Sequence, residues 1–90
     1  MIGSIKGKIQ YKGANFLIVE TNGVGYKVYV IPPLLITYKQ GQDISLVVLT
    51  YVREDQITLY GFETLEELAF FELLLNIVFV NQYHKLYFVV

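Results

Sequence analysis

Five short runs of β-forming residues, separated by turn residues, fill the first 62 positions of this 90-residue chain. Each run either alternates apolar and polar side chains or is apolar throughout, which is typical of strands rather than helices. The runs cover residues 4–11, 16–19, 24–30, 44–52 and 57–60. Five such strands, with one insertion between the third and fourth, predict an all-β fold: a five-stranded, OB-like Greek-key barrel over residues 1–62.

Turn residues indicate how these strands connect. Asn22-Gly23 is a pair that accepts positive φ in a two-residue loop, so it predicts a hairpin between the second and third strands. Residues 13–15 supply the turn before the second strand. Pro32-Pro33 cannot lie in a central strand, and with residues 34–38 they favour one or two helical turns ended by Gly41.

The pattern also predicts which side chains face the core. The apolar run 16–19 predicts a strand covered on both faces. The first strand should have one apolar and one wet face. Its apolar face consists of Ile5, Gly7, Ile9 and Tyr11.

A C-terminal helix is predicted over residues 63–76, where it would begin a truncated second domain. Thr64 and Glu67 have the spacing of a capping box, in which each side chain satisfies a free backbone N–H of the first turn. Residues 77–90 form a divergent apolar tail, and its β-forming runs 77–80 and 86–90 are candidates for pairing between chains unless they are covered. The apolar stripe of the helix consists of Leu68, Ala69, Phe71 and Leu75.

The fourth and fifth strands form a hairpin with a charged tip, Arg53-Glu54-Asp55-Gln56. One interpretation is that these charges are simply solvated, which keeps the loop off the core and blocks edge pairing. The other is functional, because two adjacent carboxylates at the end of a stiff hairpin can act on a charged partner. Arg53 could hold a phosphate or pair with Glu54 or Asp55, and we favour the pairing because an arginine beside two acids is more often structural.

Composition limits the chemistry open to the chain. With 7 basic and 8 acidic residues the formal net charge is −1, so strong non-specific binding to a polyanion is not expected. There is no Cys, no phosphate-binding glycine loop, no metal-spaced His cluster and no Gly-flanked serine nucleophile. We therefore expect no catalytic residue, cofactor or metal, and we assign His84, the only histidine, to the surface or to packing.

Hydrophobicity bears on location and assembly. The most apolar window, residues 73–80, is too short to span a membrane, and the start of the chain does not form a signal peptide. Together with the absence of Cys, this predicts a cytoplasmic protein. Hydrophobic residues make up 54% of the chain, and one small core cannot bury that much apolar surface. We therefore expect a homo-oligomer.

Together these segments resemble the N-terminal part of the RuvA family, bacterial proteins that bind Holliday junctions and load the RuvB motor during branch migration. The similarity covers roughly the first 75 residues. The segments that carry it are Met1-Ile2-Gly3 with Gly7-Lys8, Asn22-Gly23-Val24-Gly25-Tyr26 with Val28, Gly41, Val52-Arg53-Glu54-Asp55, Leu59-Tyr60-Gly61-Phe62, and Thr64, Glu66-Glu67, Phe71 and Leu74.

The resemblance implies a non-catalytic subunit of an ATP-dependent branch-migration helicase complex, acting in DNA recombination, DNA repair and the SOS response. The OB domain would support a homotetramer, a second domain of helix-hairpin-helix motifs would grip duplex arms, and a mobile third domain would contact a RuvB-like ATPase. Glu54 and Asp55 would form an acidic pin at the crossover of the junction. Arg53 and Gln56 would contact DNA or support the pin.

The tail departs from this pattern. In the family, the segment after this helix should contain a Gly-rich turn that binds a phosphate at a helix N-terminus. Residues 73–90 contain no Gly or Pro, and Lys85 is their only fixed positive charge. Binding to Holliday junction DNA is therefore expected to be weak or lost in this short form, whether it is a truncation, a frame-altered product or a divergent protein.

Two other functions also fit the sequence. A generic OB module would bind single-stranded nucleic acid by stacking bases on its tyrosines. A pure assembly module would join subunits through its apolar surface without binding DNA. The candidate stacking residues are Tyr26, Tyr29, Tyr51 and Tyr60.

Overall fold

The chain forms a closed barrel of five strands with a short helix between two of them and a longer helix after the last. The computed structural model describes residues 2–83, and side chains over residues 2–75. The strands are β1 (Ser4–Lys12), β2 (Phe16–Thr21), β3 (Val24–Tyr29), β4 (Asp43–Arg53) and β5 (Gln56–Phe62), and the helices are α1 (Pro32–Thr37) and α2 (Leu65–Tyr83).

The barrel closes in the strand order β1-β2-β3-β5-β4. Four of its neighbouring pairs are antiparallel. The fifth, β3 with β5, is parallel and limited to the pairs Val28↔Leu59 and Tyr29↔Tyr60. The predicted all-β, OB-like five-stranded barrel with a C-terminal helix is confirmed.

Aliphatic side chains fill the interior of the barrel. Leu17, Val19 and Val28 have no exposed surface, and Leu34 adds a buried side chain from α1. Burying a side chain of this kind stabilises the fold by about 1.5–3 kcal/mol relative to leaving it exposed. The core is thus built by all five strands together with α1.

The predicted orientation of Tyr11 is wrong. Its side chain is 52% exposed, although the alternation in β1 places it with the core residues. The register of β1 on β2 shifts between the pairs Ile9↔Val19 and Tyr11↔Ile18. This β-bulge adds one residue to β1 and reverses the faces of the residues that follow it.

The prediction that β2 is covered on both faces also needs correction. Leu17 and Val19 are buried, but Phe16 and Ile18 are only half-buried. The first pair points into the barrel, and the second lies on its outer surface. A strand that is apolar throughout therefore need not be covered by other elements on both faces. Its outward side chains can be partly buried by side chains of the adjacent strands.

The predicted turns and the start of α1 are confirmed. Asn22 and Gly23 have φ of 51° and 85° and join the paired residues Thr21 and Val24. α1 begins at Pro32, as predicted, but it ends at Thr37, before Gly41. At that end, the Nζ of Lys12 donates hydrogen bonds to the carbonyl oxygens of Leu35 at 2.7 Å and Tyr38 at 3.0 Å.

The capping box at α2 forms with one difference from the prediction. The N–H of Glu67 donates to the Thr64 hydroxyl at 3.1 Å. The Glu67 carboxylate accepts from the N–H of Glu63, which precedes the cap, at 3.0 Å. In the predicted stripe, Leu68, Phe71 and Leu75 are half-buried, whereas Ala69 is exposed.

α2 continues beyond the predicted end and includes residues 77–80. β-branched and aromatic residues cost a helix only up to about 0.7 kcal/mol each, so a helix that has already started can extend through them. That α2 begins a second domain stays a prediction, and the predictions for His84, Lys85 and the run 86–90 lie outside the described residues. Neither α1 nor the described part of α2 could span a membrane.

Candidate nucleic-acid interface

The β4–β5 hairpin extends past the rest of the barrel and ends in the acidic tip. β4 pairs with β1 only from Asp43 to Val47, but it pairs with β5 from Val47 to Arg53. β5 in turn pairs with β3 only at Leu59 and Tyr60. In the described strand ladders, residues 51–58 therefore pair only with each other. At about 3.4 Å per residue, the three residues from Thr50 to Arg53 carry the tip about 10 Å outward.

The N-terminal segment braces the base of this hairpin. The Thr50 hydroxyl donates a hydrogen bond to the carbonyl oxygen of Ile2 at 2.6 Å. The N–H of Val48 donates to the carbonyl oxygen of Gly3 at 2.9 Å. Ile2 also packs against the core, so the hairpin leaves the barrel from an anchored base.

Glu54 and Asp55 form the turn at the end of the hairpin. They connect the last paired residues of the ladder, Arg53 and Gln56, and all four side chains are exposed. The Gln56 amide donates to the Thr58 hydroxyl at 3.3 Å, back along β5. The two carboxylates are therefore the outermost charged groups of the hairpin, in contact with water.

Arg53 does not pair with either carboxylate. The one ion pair among the described side chains joins Lys8 and Asp43, at 3.3 Å. The guanidinium carbon of Arg53 instead lies 5.3 Å from the centre of the Tyr51 ring, a cation–π contact. Our preference for an Arg53 ion pair was thus wrong, and the tip keeps both negative charges without a cation in contact. A direct role of Arg53 or Gln56 toward DNA stays a prediction.

An apolar pair that the sequence analysis did not single out flanks the tip. Val52 and Ile57 face each other across the hairpin and are 56% and 68% exposed. Val52 lies in the same alternating row of β4 as the buried residues Ile44, Leu46 and Val48. That row continues beyond the end of the barrel, where there is no core for its side chains to pack into. The exposure of Val52 therefore depends on how far the hairpin extends past the barrel, which the alternation of the sequence does not show.

The four candidate stacking tyrosines do not lie together. Tyr26 packs partly buried against the core. Tyr29, Tyr60 and Tyr51 lie side by side, with ring centres 6.1 and 6.5 Å apart in that order. The structure therefore groups three of them on adjacent strands and separates Tyr26.

No cluster suited to a metal ion forms: within the described residues, His, Cys, Asp and Glu do not come together in groups of three or more. The acidic tip contributes two such residues, Glu54 and Asp55. What the tip presents is negative charge and exposed apolar surface on a projecting hairpin.

Comparison with known proteins gives a consistent match to one family. The model of the RuvA N terminal domain matches residues 1–61. The chain is 48% identical over 77 residues to the Holliday junction branch migration complex subunit RuvA of Halothermothrix orenii. It is 46% identical over 77 residues to the protein of that name from Rickettsia rickettsii and 45% over 78 residues to that from Acetivibrio thermocellus. These matches cover 86% of this chain but only 38–39% of the relatives, so the chain spans well under half their length.

Proposed function

Because the chain belongs to the RuvA N-terminal domain family, we propose that it acts as a RuvA-like Holliday junction-binding subunit in DNA recombination and repair. In this proposal the barrel presents Glu54 and Asp55 as an acidic pin at the crossover. The observation that carries it is the projecting hairpin, whose outermost charged groups are two carboxylates that Arg53 leaves unneutralised.

The pin acts by repulsion rather than by binding. Two unit charges about 4 Å apart in water interact by only about 1 kcal/mol, and physiological salt screens charges beyond about 8 Å. A single tip therefore has little effect on DNA. In a homotetramer, four tips surround one crossover, where phosphates are already crowded. Their combined charge disfavours reannealing across the centre and guides the separated strands into their new duplexes.

The matches cover only 38–39% of the relatives, so the remaining functions of such a subunit would lie in segments outside the match. A second domain would hold the duplex arms, and a RuvB-like ATPase would supply the energy of branch migration, so the subunit is non-catalytic and works in the cytoplasm with DNA. This chain alone, with a formal net charge of −1, is expected to bind junctions weakly.

The pin is tested in a full-length setting by grafting this chain's matched segment onto the Halothermothrix orenii relative in place of its own. The change is Glu54→Gln with Asp55→Asn. Because both side chains are exposed, we expect the free energy of unfolding to change by no more than about 0.5 kcal/mol. Junction affinity should hold or rise, because repulsion of phosphates is removed, while the rate of motor-driven strand exchange changes. Gel-shift titration and a branch-migration assay measure these two quantities.

The matched control is Glu66→Gln with Glu72→Gln, which removes two exposed carboxylates from α2 instead. If the tip variant and the control give the same affinity and the same exchange rate, the tip charges are merely solvated. If the graft forms oligomers but binds neither junction nor single strand, the domain is an assembly module only.

A further inference from the structure

A row of aromatic rings crosses the outer surface of the barrel and ends at the base of the hairpin. Each of the five strands contributes one ring. Successive ring centres are 6.1, 6.1, 6.1 and 6.5 Å apart. In spatial order this aromatic row consists of Tyr11, Phe16, Tyr29, Tyr60 and Tyr51.

The rings lie outside the barrel because their strand neighbours fill its inside. Leu17, Val28 and Leu59 are buried next to Phe16, Tyr29 and Tyr60, which are half-buried. The β-bulge in β1 brings the exposed ring of Tyr11 onto this outer face, beside Phe16. The row is therefore continuous from β1 to β4.

Two cations accompany the rings. The Nζ of Lys27 lies 4.5 Å from the ring centre of Phe16 and 5.3 Å from that of Tyr29. At the other end, Arg53 lies over Tyr51. Lys27 thus lies over two rings and Arg53 over a third. Aromatic rings and cations on one surface are the combination by which proteins hold single strands, the rings stacking on bases and the cations meeting phosphates.

A cleft opens beside the middle of the row. It has a volume of about 270 Å³ and is lined by Asn15, Tyr29, Tyr60 and Phe71 of α2, whose ring packs on that of Tyr60 with the ring centres 5.0 Å apart. This is just below the range of about 300–1,000 Å³ for sites of drug-sized ligands, so the cleft can take no more than one small planar group such as a base. Aromatic walls with a nearby amide can stack such a base and bond to its edge.

The spacing distinguishes a single strand from a duplex. Along one strand of a duplex the nucleotides repeat about every 3.4 Å. Rings 6.1 Å apart are spaced more widely than stacked bases, so successive rings can meet successive bases only where the strand is unstacked. We propose that the aromatic row, with Lys27 and Arg53, is a binding site for single-stranded nucleic acid.

This site goes beyond the junction role of the tip and does not depend on it. It is tested on the 90-residue chain itself, with fluorescein-labelled oligothymidine and a labelled duplex as probes, by fluorescence anisotropy. We expect saturable binding with a preference for the single strand. Tyr11→Leu and Tyr29→Leu keep apolar surface but remove a ring, so each should weaken binding about fivefold or more.

Phe70→Leu is the matched control, because it removes a ring that is 63% exposed on α2, outside the row. It should leave the affinity unchanged. Lys27→Gln should reduce the slope of log affinity against log salt by about 0.7, the value for one phosphate on a single strand. Circular dichroism checks that each variant is folded, and Tyr11→Leu remains informative if Tyr29→Leu does not fold, because Tyr11 is exposed.

Three outcomes overturn the proposal. The first is the absence of oligothymidine binding, or equal binding of the duplex. The second is an equal loss of affinity in Phe70→Leu. The third is that Tyr11→Leu abolishes self-association in sedimentation while oligothymidine binding is unaffected, which would assign the row to a second copy of the chain. None of these results bears on the acidic pin, because oligothymidine contains no crossover.

Discussion

Gly7 occupies a position in β1 where a side chain has no room. A Cβ there would collide with the backbone carbonyl oxygen of Glu20 and lie 2.6 Å from the Thr21 hydroxyl. That hydroxyl donates a hydrogen bond to the carbonyl oxygen of Lys6 at 2.9 Å, which links β1 to β2. Because the Glu20 carbonyl belongs to the strand backbone, it cannot move aside as a flexible side chain could. Gly7→Ala should therefore lower the free energy of unfolding by about 1–3 kcal/mol, measured by urea denaturation.

Gly3→Ala is the control for this change, because no atom outside its chain neighbours lies within 4 Å of a Cβ at Gly3. It should alter the free energy of unfolding by no more than about 0.5 kcal/mol. Equal destabilisation by the two substitutions would show that backbone freedom, and not the contact with Glu20, explains the glycine in β1.

A hydrogen bond between Tyr38 and Glu63 connects the end of α1 to the segment between β5 and α2. The Tyr38 hydroxyl donates to the Glu63 carboxylate at 2.9 Å. This hydrogen bond raises the pKa of Tyr38 above its ordinary value of 10.0, with burial and the negative charge of Glu63 adding to the effect. Because the folded-state pKa is the higher one, the stabilisation is fully present below the unfolded pKa. It is lost as the pH rises through the folded pKa.

Tyrosine titration by NMR should therefore show Tyr38 ionising at higher pH than an ordinary tyrosine. Glu63→Gln removes the carboxylate acceptor and should bring that pKa back toward 10.0. Tyr38→Phe should destabilise the protein at neutral pH, and the difference from the original chain should shrink above pH 10. Glu66→Gln, in the first turn of α2, is the control. If Tyr38 titrates alike in the original chain and in Glu63→Gln, the hydrogen bond does not persist in solution.

At the scale of the molecule, large apolar side chains among the described residues remain exposed on several elements. A monomeric protein rarely leaves extended apolar surface uncovered, so copies of the chain should associate. Phe70 and Leu73 lie one turn apart on α2 and are 63% and 57% exposed. Among the side chains of residues 2–75, the large exposed apolar ones are Tyr11, Val24, Ile31, Ile36, Val52, Ile57, Leu65, Phe70 and Leu73.

We expect sedimentation velocity to show reversible oligomers at micromolar concentrations, and Phe70→Gln with Leu73→Gln to shift them toward monomer. Ile36→Gln serves as the control, because Ile36 is 81% exposed but lies on α1, away from α2. A clean monomer in the original chain would contradict the expectation, and an equal shift with Ile36→Gln would show that the association is not specific to α2.

Some features of this protein follow from the sequence because their physics is local. Asn22-Gly23 accepts positive φ whatever surrounds it, and Thr64 and Glu67 cap α2 within one turn. The strand runs and the charged hairpin tip are likewise properties of short segments, as is the all-β class. Each depends on neighbours in the chain, so a periodic pattern is enough to predict it.

Other features depend on which strands meet, and only the tertiary structure decides that. The register shift against β2 exposes Tyr11, and the parallel pairing of β3 with β5 places Tyr60 beside Tyr29. Arg53 contacts the Tyr51 ring rather than its acidic neighbours, because Arg53 and Tyr51 are two residues apart in β4 and lie on the same face of the strand. A strand's alternation tells which residues share a face, but the bulge, the partner strand and the point where the barrel ends decide what that face contacts.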